Sequence, residues 1–298
     1  MLIETENIKK MNILVLGGTR FFGVHTVNEL IKNGHDVTIA TRGITTDSFG
    51  NNVNRVIYDR NDKESIINIL KRKYYDVIID KTAYCSNDIR NTLKVAEFGK
   101  YIYMSSTAVY DPLHIDTREE EFDPEKKKLV WCSRADYSYD EVKKQAECAI
   151  AQCYSDKNVV SVRYPVVMGK DDYTDRLKFY IDHTRNQQPM NIDNLNCRMS
   201  FINSYEAGRF IAYITESDFF KGSVNGASNG TISIREILDY AESKIHKKAI
   251  LDISGDKAPY NGLPDYSINT DKAAEIGYVF SGIKEWIFDV LDFYINKI

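Results

Sequence analysis

Along the first half of the chain, short apolar runs that stop at glycine or polar turns alternate with segments whose apolar residues recur every three or four positions. Met11-Asn12-Ile13-Leu14-Val15-Leu16 is such a run and ends abruptly at Gly17-Gly18. Continuous apolarity over so few residues is what a central parallel strand, buried on both faces, requires. From there Val24, Val27, Leu30 and Ile31 keep helical spacing, and Asn33-Gly34 closes the helix. Asp36-Val37-Thr38-Ile39-Ala40 predicts a second strand, which completes a βαβ unit. The rhythm then predicts strands over 53–58, 76–80, 101–105 and 159–163, with helices over 62–73, 88–97 and 139–154. Such alternation predicts an α/β fold, a doubly wound parallel sheet with helices on both faces, over residues 11–165. After Pro165 the regularity is lost, and 166–298 is read mainly as a smaller substrate-binding lobe, with segments near 198–228 returning to the first domain. The strand-like Val224-Asn225-Gly226 and a helix over 233–245 are assigned to that lobe.

Composition narrows the possibilities. The 298 residues carry 39 Lys+Arg against 43 Asp+Glu, a net charge of -4, which argues against a basic nucleic-acid-binding surface. At 43% hydrophobic and 28% charged residues the chain has enough apolar material for a packed core. No run approaches the roughly eighteen apolar residues of a membrane span. The opening MLIETENIKK lacks the apolar stretch of a secretory signal. Five cysteines without a CxxC pair read as reduced thiols of a cytoplasmic protein. Five scattered histidines show no metal-ligand spacing, so no metal is expected.

The candidate chemistry starts at Gly17-Gly18-Thr19-Arg20-Phe21-Phe22-Gly23, where a strand hands over to a helix. Gly17 permits the tight turn, Gly23 lets helix and sheet approach closely, and the helix start offers N–H groups to a pyrophosphate. Thr19, Arg20, Phe21 and Phe22 complete the expected cofactor contact. Arg20 stands where a GxxGxxG pattern has its middle glycine, and it brings a charge suited to phosphate. The second strand ends in Thr41-Arg42-Gly43, not in the acid that would accept a ribose 2′-hydroxyl. Arg42 suits a 2′-phosphate, so NAD(P) is the expected cofactor, with NADP favoured.

With Asp59-Arg60, Ser105-Ser106-Thr107-Ala108-Val109-Tyr110 and Tyr139-Asp140-Glu141-Val142-Lys143 followed by Glu147, the chain resembles the NAD(P)-dependent nucleotide-sugar epimerase/dehydratase branch of the extended short-chain dehydrogenase/reductases. The likeness runs from Met11 through nearly the whole chain, and the GGTRFFG spelling and Asp172 to Leu177 look like a subgroup that includes the chloroplast stem-loop-binding proteins. It implies a Rossmann-like fold and a catalytic set of Tyr139, Lys143 and Ser106. Positions four apart share a helix face, so the Lys143 ammonium can favour the Tyr139 phenolate. Tyr137 and Lys144 are decoys for this pair, and the spacing to Glu147 selects Tyr139 and Lys143. By the same likeness Asp59-Arg60 lies by the adenine, Ala83 lines the ribose and diphosphate, and Tyr164 stands near the nicotinamide.

The implied reaction is hydride transfer on a nucleotide sugar, as an epimerase or a keto-sugar reductase. Thr107 and Ala108, following Ser106, bring no carboxyl, which argues against a 4,6-dehydratase. Ser106, Thr107, Arg176 and Arg198 are the candidate substrate contacts, the arginines for a nucleotide diphosphate. Helices 88–97 and 139–154 are implied to pair two copies into a homodimer. Two other readings stay open: an RNA-binding relative without redox turnover, opposed by the acidic charge, and a dinucleotide-sensing regulatory protein.

Overall fold

The computed structural model describes residues 9–71, 73–217 and 221–297. Residues 1–8, most of the segment read as no secretory signal, lie outside them. The chain divides into two compact units. The first takes residues up to Val109, then Phe122–Arg163 and Ala207–Val224; the second takes Tyr110–Glu121, Tyr164–Glu206 and the chain from Asn225 onward.

The first unit is built on the predicted alternation: β1 (Asn12–Leu16), α1 (Phe22–Lys32), β2 (Asp36–Thr41), β3 (Asn54–Ile57), α2 (Lys63–Leu70), β4 (Tyr74–Asp80), α3 (Ser86–Leu93), β5 (Glu97–Ser106), α4 (Tyr139–Cys153) and β6 (Val159–Tyr164). A seven-stranded sheet runs in the order β3, β2, β1, β4, β5, β6 and, at the far edge, Gly222–Asn225. Pairing is parallel from β3 to β5. The order reverses between β1 and β4, and open α/β sheets bind ligands at such a crevice, beyond the strands' carboxyl ends.

Side chains alternate across the strands and sort the helices onto two faces. Leu14, Leu16, Ile78, Tyr101 and Tyr103 share one buried cluster with Ile66 and Leu70 of α2, Ile89 and Leu93 of α3, and Ala146, Ala149 and Ile150 of α4. On the other face lie α1 and the helix Ser204–Glu216. There a Cβ at Gly208 would stand 2.5 Å from that of His25, so only glycine lets these two helices touch. The sheet is thus doubly wound, as its sequence rhythm predicts.

Two differences are instructive. The strand assigned to the second lobe, Gly222–Asn225, closes the sheet beside β6. Its apolar content is one valine, too little for a periodicity to show. The fifth strand begins at Glu97, where the sequence reads as the end of a helix, and runs ten residues. Its first three positions are half-buried or exposed, so no apolar run marks them.

In the second unit Val166–Met168 pairs in parallel with Phe201–Asn203. The helices Arg176–Asn186, Ile234–Ile245 and Ile287–Asn296 close around Tyr180, Ile181, Phe201, Ile237 and Leu291.

Candidate active site

β1 and β4 end level with each other, Leu16 opposite Asp80, so the turn after one faces the loop after the other. Gly17 and Gly18 both hold positive φ, 100° and 101°. A Cβ at Gly18 would press on Val15 Cγ1 and Val27 Cγ2 at 3.1 Å. Phe21 takes φ 55° at the start of α1, a left-handed value that ordinarily belongs to glycine. Arg20 is exposed, and its Nε donates to Thr45 Oγ1 at 3.2 Å, which turns its guanidinium toward the loop that carries Arg42. Arg42 is itself exposed, as is Gly43 beside it.

From the β4 side, Lys81 reaches over this turn. Its Nζ donates to the Arg20 carbonyl at 3.2 Å and lies 3.9 Å from the centre of the Phe22 ring. A Cβ at Gly23 would come within 2.1 Å of that nitrogen and 3.0 Å of Gly18 Cα. The first turn of α1 has no acidic residue, so its positive end is left for an anion. Close backbone approach, positive-φ glycines and local positive charge fit the pyrophosphate of a dinucleotide. Thr19 and Phe22 are half-buried members of the same turn.

Asp59 and Arg60 part company. Asp59 caps its own loop, accepting from Asn61 N at 2.9 Å. Arg60 turns inward and pairs with Asp80, which is fully buried. Asp80 also accepts from Tyr101 Oη at 2.5 Å and from the Thr82 and Ala83 backbone N–H groups at 2.9 Å. The loop after β4 is therefore folded around one carboxylate. Arg60 is held inside the protein, with its Nε on Thr82 Oγ1 at 2.9 Å.

That loop receives Lys143. Its Nζ donates to the carbonyls of Ala83 at 2.9 Å and Met104 at 2.7 Å, bridging the ends of β4 and β5. Burial pushes its pKa down to about 7, while the charges of Asp80, Asp88 and Glu147 pull the other way. Lys144 points elsewhere and pairs with Asp140 at 3.3 Å. One turn before Lys143, Tyr139 opens α4 and is 50% exposed, available to a substrate. Its ring meets Tyr84 edge-on, with centroids 6.2 Å apart. Ser106 is the last residue of β5, and its Oγ accepts from Ala108 N at 3.2 Å. Thr107 is buried in the short helical turn that follows.

One turn further along α4, Glu147 ties the same helix face to the sheet. Glu147 receives Arg163 of β6, with Nε at 3.0 Å, and Ser105 Oγ of β5, all in the buried interior. An arrangement with an exposed phenol, an ammonium behind it and a strand-end serine can exchange a proton with a substrate hydroxyl.

Three candidates belong to the second unit. Tyr164 is buried, and a Cβ on Gly226 would come 2.4 Å from its ring. Arg176 is exposed at the start of its helix. Arg198 is occupied by Asp265, which it grips with Nε at 3.1 Å and Nη2 at 3.0 Å. Reading the sequence overlooks Lys81, Tyr84 and Asp80. The rule that function gathers just past strand ends reaches Ala83, and the same rule covers its neighbours. Among the described residues no group of three His, Cys, Asp or Glu side chains could hold a metal, and no helix is long and apolar enough to cross a membrane.

Comparison with known proteins agrees with the fold. A family model described as "NAD dependent epimerase/dehydratase family" matches residues 13–224. A similar curated protein is the chloroplast stem-loop binding protein of 41 kDa b from Arabidopsis thaliana, 30% identical over 112 residues, which span 33% of this chain and 30% of that protein. Among solved structures, the Bordetella bronchiseptica enzyme WbmH in complex with NAD+ superposes with a TM-score of 0.72 at 14% identity, covering 96% of this chain and 99% of that one. The UDP-N-acetylglucosamine 4-epimerase from Methanobrevibacter ruminantium M1, in complex with UDP-N-acetylmuramic acid, gives 0.70 at 18% identity, covering 97% and 100%.

Proposed function

The chain belongs to the NAD dependent epimerase/dehydratase family, and from that premise we propose that it is a nucleotide-sugar epimerase or keto-sugar reductase working with Tyr139, Lys143 and Ser106. The observation that carries this reading is Lys143 sunk between the ends of β4 and β5, one helical turn behind an exposed Tyr139. Tyr139 takes the proton of a sugar hydroxyl, Lys143 favours its phenolate, and Ser106 holds the substrate oxygen. The nicotinamide, when bound, accepts and returns hydride. Gly17, Gly23 and the start of α1 hold its pyrophosphate, and Ala83 lines the path to the ribose. Arg42 at the end of β2, and Arg20, which reaches Thr45 of the same loop, favour NADP. The absence of a carboxyl at Thr107 and Ala108 speaks against dehydration.

The second unit supplies the sugar-nucleotide site in this reading, with Arg176 as its exposed cation. Arg198 serves there to fix the segment ahead of Asp265. The protein is cytoplasmic and pairs through α3 and α4. A second reading, RNA binding without turnover, is favoured by the likeness to the stem-loop binding protein and opposed by the net charge of -4.

Titration with NADPH and NADH side by side tests the proposal. Tight NADPH binding weakened by Arg42→Ala is expected, with Tyr139→Phe binding normally but losing turnover by orders of magnitude. Binding of neither dinucleotide would overturn the enzyme reading in favour of RNA.

A further inference from the structure

Four contacts surround the Lys143 ammonium, and two of them are aromatic. Besides the Ala83 and Met104 carbonyls, it lies 4.7 Å from the centre of the Tyr84 ring and 4.9 Å from that of Tyr103. Both distances are within the roughly 6 Å over which a ring quadrupole attracts a cation. Tyr103 is fully buried on β5, and its hydroxyl has no hydrogen-bond partner among the described residues. Its phenol oxygen is thus not what places it there; the ring is. Tyr84 is held from its own backbone, whose N–H donates to the Asp88 carboxylate at 2.8 Å. The same carboxylate accepts from Cys85 N at 3.3 Å, so the ring rests on a fixed stretch of chain.

We propose that Tyr84 and Tyr103 form an aromatic cage for the Lys143 ammonium, and that Tyr84 is thereby a positioning residue for the Tyr139/Lys143 pair. The inference rests on the assignment of that pair made above. An ammonium taken from water gives up its hydration, and two carbonyls satisfy only two of its three N–H bonds. The ring faces meet what remains of the charge without adding an acid that would fix it as a salt bridge. A carboxylate at the same place would hold the lysine away from its work.

The other charges around it are known. Asp80 at the end of β4, Asp88 of α3 and Glu147 of α4 favour the ammonium, and Arg60 opposes it. Arg134 stacks on the Tyr84 ring at 3.7 Å and competes for the same π system. Tyr139, edge-on to Tyr84, ties the cage to the phenol it serves. One ring therefore touches both members of the pair.

The test is direct observation of the Lys143 titration. Protein labelled with ¹³C at lysine Cε is followed by NMR from pH 5 to 10, the Lys143 signal being identified by its loss in Lys143→Arg. The cage stabilises the charged form, so removing a ring lowers the titration midpoint. Tyr84→Leu is expected to lower it by about one pH unit, a tenfold change in the protonation equilibrium. Tyr84→Phe keeps the ring and leaves the midpoint within about 0.2 unit. Phenylalanines of increasing fluorination at position 84 keep the shape while draining the ring face, and should lower the midpoint stepwise. They decide the matter if the leucine variant misfolds. A midpoint unmoved by leucine, or the same for plain and fluorinated rings, would overturn the cage. Full turnover in Lys143→Arg would instead remove Lys143 from the proposed reaction and leave the cage standing.

Discussion

Glu147 offers the sharpest test of how the site is held. Glu147→Gln removes the carboxylate that pairs with Arg163, at a place where the two side chains are 2% and 0% exposed. Arg163 would then keep the Phe122 carbonyl at 3.3 Å, and the new side-chain amide would offer it a single uncharged oxygen. Breaking a buried pair from one side costs about 3–5 kcal/mol, because the remaining charge stays desolvated. For a chain of this size that corresponds to roughly 6–20 °C in Tm, taking about 2–4 °C per kcal/mol. The loss of Ser105 as a charge-assisted donor adds to the same effect. Urea unfolding and thermal scans of Glu147→Leu, Arg163→Met and the double variant Glu147→Leu/Arg163→Met form a cycle that isolates the pair, with Glu147→Gln measured beside them. The double variant should recover much of the stability lost in either single one, since it leaves no buried charge. Dinucleotide binding should weaken in the single variants as α4 loosens. A loss below about 1 kcal/mol in both single variants would refute the reasoning, since that is the cost of a pair solvated at the surface.

Three further outcomes follow from the same geometry. Gly23→Ala puts a methyl 2.1 Å from Lys81 Nζ and 3.0 Å from Gly18 Cα, so dinucleotide binding measured by fluorescence should fall at least tenfold, a change of about 1.4 kcal/mol; Gly222→Ala, with open space around it, should leave binding intact. Burial pushes the thiols of Cys85 and Cys148 up to about 12, so at pH 8 they remain protonated and inert. Cys153, the exposed one, should take up the first equivalent of iodoacetamide by mass spectrometry, and alkylation of Cys85 at that pH in the folded protein would contradict the structure. Arg198→Ala should lower stability by no more than about 1 kcal/mol, because its partner Asp265 is at the surface; a larger loss would mean that the segment depends on the pair.

Local pattern carries far in this chain. The run from Met11 to Leu16 and the glycines after it identify the first strand and the turn, because a strand buried on both faces cannot hide its composition. The spacing from Tyr139 to Lys143 and Glu147 is legible for a related reason: one helix face is read by counting. The structure then shows what the third member does, since Glu147 meets Arg163 and Ser105 and so turns that face toward the sheet. Elements whose burial is shallow were not legible. The start of β5 has too few apolar residues to declare itself, and the strand-like segment around Val224 gives no sign of the sheet edge it joins.

The sequence by itself determined the doubly wound sheet and the glycine turn, which depend on periodicities within about fifteen residues, while the candidate pair on α4 came from the family resemblance. Only the tertiary structure decided which charges are spent. Arg60, expected by the adenine, and Arg198, expected on a diphosphate, are both seen to be held, by Asp80 and Asp265, 20 and 67 residues away. Lys81 looks like a strand-end charge until it is found across the turn, and Tyr84 like filler until Lys143, Tyr139 and Arg134 are seen around its ring. The reason is physical. Burial of an apolar face leaves its mark at every turn of the chain, whereas an ion pair or a ring contact needs only two residues, brought together by the fold from any distance in sequence.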